Sequence, residues 1–103
     1  MEIYLGIDPG ISGAIAAIDQ DGNPAGSCSL AGSLEEQNAW LTTTAAQYTI
    51  TGALVEIVGA KPRDGNRGAF TFGGSYLAAQ ALLTAAGIRY EKITPTAWQT
   101  RLR

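Results

Sequence analysis

Two carboxylates stand in otherwise apolar surroundings. Asp8 stands at the edge of an apolar strand pattern in "YLGIDPGISGAIAAID", directly before Pro9-Gly10, and Glu56 is the one charged residue of "ALVEIV". The first 60 residues contain no Lys or Arg to pair with either. A buried carboxylate survives only if it is paired, protonated or bound to metal. Two of them on neighbouring strands would form a cradle for divalent cations, the arrangement that hydrolyses phosphodiesters. The plainer alternative has one acid capping a turn and the other ending a strand in solvent.

The residue inventory narrows this chemistry. The 103 residues include no His and one Cys, Cys28. A zinc site is nearly excluded, and so is His-based acid–base or Ser-His-Asp catalysis. Any metal must sit on carboxylates, which selects Mg²⁺ or Mn²⁺. One Cys makes no internal disulfide and suits a reducing compartment. No apolar run reaches the length of a membrane helix, and the N-terminus lacks a basic segment followed by a signal-type apolar core. A cytoplasmic location without membrane contact is therefore expected.

Charge is divided along the chain. Residues 1–60 hold seven acids and no base, whereas residues 61–103 hold all seven bases against Asp64 and Glu91. Scattered solvated charge explains this as readily as an acidic cation site beside a surface for polyanions.

The elements that must position the acids read as one domain. Ile3–Ile7 is a short apolar strand stopped by Pro9-Gly10. Gly13–Ile18 and Ala25–Leu30 form two more, joined through Asp21-Gly22, a hairpin signal. Together they suggest an antiparallel meander. Ser33 predicts a helix N-cap with Glu35 and Glu36 in the first turn, and the helix runs to about Gln47. Ala53–Val58 is the fourth strand. "GAKPRDGNRG" reads as a loop, followed by a helix from around Gly73 to Ala86 that Gly87 closes. Ile88–Ile93 is a fifth strand, and Thr94-Pro95 opens a last helix. The expected fold is α/β, a five-stranded mixed sheet flanked by helices. The right-handed crossover rule places the fourth strand parallel to and near the first, bringing Asp8 and Glu56 together.

The segments "YLGIDPGISGAIAAID", "ALVEIVGAKPRDG", "FTFGGSYLAAQALLTAAGI" and "YEKITPTAWQ" resemble, in order and spacing, the RuvC-like Holliday junction resolvases, most closely their phage-type branch. The resemblance covers nearly the whole chain. It implies an RNase H-like fold in which Asp8 and Glu56 are catalytic metal ligands. It also implies Mg²⁺-dependent (or Mn²⁺-dependent) endonuclease activity on four-way or branched DNA, with two metal ions and a homodimer matched to a two-fold substrate. Gly10 and Gly13 would serve the tight turn and the close approach of phosphate. Lys61, Arg63 and Arg67 would meet DNA phosphates, or else form an ordinary solvated loop. Phe70 and Phe72 would stack on opened bases, although core packing accounts for at least one of them equally well.

The chain departs from the family pattern in two places. Resolvases of this type take further acids from a C-terminal helix, yet no carboxylate follows Glu91 and the sequence stops at Arg103. The expectation is a single nuclease domain over residues 1–103 that lacks its last catalytic helix. Gln99 follows Trp98 where many relatives carry Lys, which leaves Arg101 as the nearest base for DNA contact. Trp40 and Trp98 are expected in the core or at a dimer interface. Two rival functions stay open: a branched-DNA binding module without catalysis, and a fragment of an actin-like ATPase, which would need a second lobe around its nucleotide.

Overall fold

The computed structural model describes residues 1–9, 13–56 and 65–93, with residues 65–72 by backbone alone. Five strands and two helices follow in the order β1 (Glu2–Asp8), β2 (Ala14–Asp19), β3 (Pro24–Ser29), α1 (Leu34–Gln47), β4 (Thr49–Glu56), α2 (Gly65–Ala85) and β5 (Tyr90–Ile93). They build one sheet in the order β3-β2-β1-β4-β5. The first three strands are antiparallel neighbours, while β4 lies parallel to β1 and β5 parallel to β4. The expected mixed sheet is therefore present, with β1 at its centre.

Alternation along the strands divides the sheet into two unlike faces, since successive side chains point to opposite sides. Ile3, Leu5 and Ile7 of β1, Ile15 and Ala17 of β2, and Ala53 and Val55 of β4 all join one core. Leu41 of α1 and Ala79 and Leu83 of α2 belong to the same core, so both helices cover this face. Trp40 packs against it from the rim, over the backbone of Gly26, where an added Cβ would lie 3.7 Å from the indole. The Tyr90 hydroxyl donates to Gln80 Oε1 at 3.3 Å and ties β5 to α2.

The opposite face carries Tyr4, Gly6 and Asp8 of β1, Ala16 and Ile18 of β2, and Leu54 and Glu56 of β4. Among the described residues no helix lies over it. Tyr4 is 41% exposed there. Tyr4, Ile18 and Leu54 line an apolar groove of about 510 Å³ that extends to the Arg89–Glu91 segment. No helix among the described residues is long and apolar enough to cross a membrane.

Local signals explain most element ends. Ser33 Oγ accepts from the Glu36 N–H at 3.1 Å and donates to Glu36 Oε1 at 3.3 Å, which fixes the start of α1. Buried Gln37 donates from Nε2 to Gly32 O at 3.0 Å and holds the β3–α1 connection. Gly87, at φ +73°, closes α2, with Ile88 N–H bonded to Leu83 O at 2.9 Å and Gly87 N–H to Thr84 O at 3.1 Å. That is the paired bonding of a Schellman end, and it needs a glycine.

Three expectations on element bounds are corrected. The helix predicted from Gly73 begins at Gly65, so Arg67, Phe70 and Phe72 lie on α2 and not in or beside a loop. A Gly-Gly pair costs a helix about 2 kcal/mol at most, which a 21-residue helix packed on a sheet absorbs. The fourth strand starts at Thr49, four residues before Ala53, because "TITG" extends the pairing with β1 back to Glu2. The fifth strand is shorter than predicted, beginning at Tyr90 and not at Ile88, since Gly87 and Ile88 complete the helix end. The predicted last helix from Thr94 lies outside the described residues.

Candidate functional site

Asp8 and Glu56 are the last residues of β1 and β4. The two strands run parallel with Gly6 beside Leu54 and Ile7 beside Val55. One step further along the same register, Asp8 meets Glu56 at the carboxyl edge of the sheet. Both belong to the open face, being two residues on from Gly6 and Leu54. The crossover between β1 and β4 thus brings together two acids 48 positions apart in the sequence.

Their burial differs from the expectation. Asp8 is exposed and Glu56 is only half-buried, so neither is an acid sunk in the core. Each sits at a strand end, where the sheet edge leaves room for water. What sets the pair apart is proximity: the two side chains are within hydrogen-bonding reach. Partial burial pushes the Glu56 carboxyl above its ordinary value, the negative charge of Asp8 adds to the rise, and a hydrogen bond to Asp8 completes it. The charge of Asp8 disfavours a second negative charge on Glu56, and a bound cation would relieve that repulsion.

The residues present fit a divalent cation. Mg²⁺ is usually held by one or two carboxylates, with waters and substrate phosphates completing its shell. Two carboxyls facing one space at an open edge supply that donor set. Among the described residues no group of three or more His, Cys, Asp or Glu comes together. Among the described residues, Asp8 and Glu56 are thus a pair of carboxyls without a third acid beside them.

The other residues singled out by sequence are placed as follows. Gly13 is buried at the start of β2, and its carbonyl accepts from Leu30 N–H at 2.9 Å. It adjoins Ala14, the residue that pairs with Asp8 across β1 and β2. Gly10, Lys61, Arg63 and Arg101 lie outside the described residues, as does Trp98. Arg67, Phe70 and Phe72 lie in the first turns of α2, known by backbone alone. The structure thus brings together Asp8, Glu56 and, beside Ala14, Gly13.

One neighbour of the site escaped the sequence reading. Ile93, the last residue of β5, pairs with Glu56 in the parallel register and is 5% exposed. The end of the fifth strand could be read from the sequence, but its register against β4 could not.

No family model matches this sequence, and no curated protein does. Among solved structures, Thermus thermophilus RuvC in complex with a Holliday junction substrate matches with a TM-score of 0.69 at 17% identity. The match covers 90% of this chain and 63% of that one. The fold is RNase H-like, as in RuvC. A second Thermus thermophilus RuvC structure agrees, with a TM-score of 0.66 at 17% identity over 90% of this chain and 64% of that one. This chain thus spans less than two thirds of the RuvC chains whose fold it shares.

Proposed function

We propose that this chain is the nuclease domain, over residues 1–103, of a divalent-metal-dependent endonuclease that resolves four-way DNA junctions, with Asp8 and Glu56 as its metal ligands. The observation that carries this reading is the meeting of the two carboxyls at the ends of adjacent parallel strands, in a sheet shared with a junction-binding RuvC. A cation held there, Mg²⁺ or Mn²⁺, would activate water and offset charge on the scissile phosphate. Asp8 and Glu56 would hold the cation, with water and phosphate oxygens completing its shell. The exposed edge at Asp8 gives a strand of DNA room to approach. The bases Lys61, Arg63, Arg67 and Arg101, with Phe70 and Phe72, are proposed as DNA contacts, and Gly10 and Gly13 as the turn that phosphate passes. A homodimer in a cytoplasmic setting would match the symmetry of the substrate.

The test is an end-labelled immobile four-way junction incubated with the chain and Mg²⁺ or Mn²⁺. Paired cuts near the crossover are expected, lost in Asp8→Asn and in Glu56→Gln. Cleavage that persists in both variants would contradict the assignment. A second reading has its own observation: only two carboxylates converge among the described residues. On that reading the domain binds branched DNA without cutting it, and junction binding by gel shift with no product at any metal concentration would establish it.

A further inference from the structure

The β5 side of Glu56 is closed by an apolar side chain. Glu56 and Ile93 are direct partners in the parallel β4–β5 register, so their side chains project from the same face of the sheet. Neighbouring strands lie about 4.8 Å apart, which sets the two side chains against one another. Ile93 is 5% exposed, yet it is absent from the core that the two helices cover, in keeping with its place on the opposite face.

The neighbours of Glu56 on its own face are therefore unlike. Leu54 precedes it by two residues on β4, Ile93 flanks it on β5, and Asp8 flanks it on β1. Of these three only Asp8 offers a polar atom. An isoleucine is branched at Cβ and stiff at χ1, so it forms a fixed wall and gives a carboxyl nothing to bond. A Ser, Thr or Asn at the same place would provide a competing partner and draw water to the β5 side.

We propose that Ile93 is a positioning residue of the carboxylate pair: by walling off the β5 side of Glu56 it turns that carboxyl toward Asp8 and so sets the spacing of the cation cradle. This rests on the metal-site reading above, and it adds a residue that contributes no ligand atom.

The test uses the full chain with Ile93→Val, which keeps the branched wall, and Ile93→Thr, which keeps the branch and adds a hydroxyl. Mn²⁺ affinity is measured by electron paramagnetic resonance, with thermal midpoints recorded alongside. Outer groups that orient metal ligands are commonly worth 10–100-fold in affinity. Ile93→Thr should weaken Mn²⁺ binding by about tenfold, and Ile93→Val should leave it near the wild-type value. Equal affinity in all three proteins overturns the proposal, and so does a loss in Ile93→Val as large as in Ile93→Thr.

A metal-free readout separates this proposal from the reading beneath it. Methyl-labelled wild-type protein should show nuclear Overhauser contacts from the Ile93 methyls to the Glu56 side chain. Their absence overturns the positioning role whatever the metal does. Their presence in a protein that binds no Mn²⁺ supports the wall and removes the metal reading instead.

Discussion

The two faces of the sheet are made from alternate residues of the same strands, and they differ in almost every property. On one face Ile3, Leu5, Ile7, Ile15 and Val55 lie under two helices, all within 2% of full burial. On the other, Tyr4, Gly6 and Asp8 interleave with them along β1, and a groove of about 510 Å³ stays open among the described residues. A shift of one residue in register would exchange the two sets. The covered face holds the fold together, and its rigidity fixes the strand ends. The open face takes its geometry from that rigidity and places two like charges side by side. The buried core and the paired acids are thus divided by the pleat of the sheet, not by separate regions of the chain.

Paired truncations give the widest test of that division. Leu5→Ala on the covered face should cost about 2–5 kcal/mol, as expected for a fully buried leucine. Leu54→Ala on the open face should cost about 1 kcal/mol, because its side chain is only half-buried. Urea unfolding of the two variants makes the comparison. Equal costs would mean that the open face is packed in solution and would break the contrast.

A smaller effect sharpens the role of α2, whose sheet-facing side alone reaches the core. Gly74 lies exposed on this helix with nothing within 4 Å of an added Cβ. Gly74→Ala should raise stability by about 1 kcal/mol and leave Mn²⁺ binding unchanged. Destabilisation in a thermal melt would show that the helix has its tight contact on the outer side.

The smallest effect is a pH slope. Glu56 has its carboxyl value raised in the folded chain, so the folded state holds the proton more firmly than the unfolded one. Its contribution is fully favourable below the ordinary glutamate value and is lost as pH rises through the raised folded value. Glu56→Gln should remove that fall, so the stability difference between variant and wild type grows from the ordinary glutamate range upward. Urea midpoints across that window measure it. A difference that stays flat with pH would mean that Glu56 holds its proton no more firmly in the folded chain than in the unfolded one.

Much of this arrangement was legible in the sequence. The five strands, the Ser33 cap and the Gly87 stop are each written in local residue types, and the crossover rule set β4 beside β1. The meeting of Asp8 and Glu56 follows from that rule and from their places at strand ends. The inference that both acids are buried failed because an apolar run says nothing of where along the sheet it ends. The start of α2 was hidden by "RDGNRG", whose turn-forming residues outweigh helix periodicity until tertiary packing decides. Ile93 was out of reach for another reason: register between parallel strands joined by a long helix is set by three-dimensional packing, and no nearby turn records it.

The central claim is that the open face carries a cation site at Asp8 and Glu56. Its most direct measurement is Mn²⁺ titration of ¹⁵N-labelled protein, read as paramagnetic broadening of amide signals. Broadening at low Mn²⁺ should centre on Asp8, Ala14, Glu56 and Ile93, spare Ile3 and Thr49 at the far end of the same strands, and vanish in Asp8→Asn. Broadening spread over the surface acids, or centred on the Asp19–Asp21 turn and unchanged in Asp8→Asn, would contradict it.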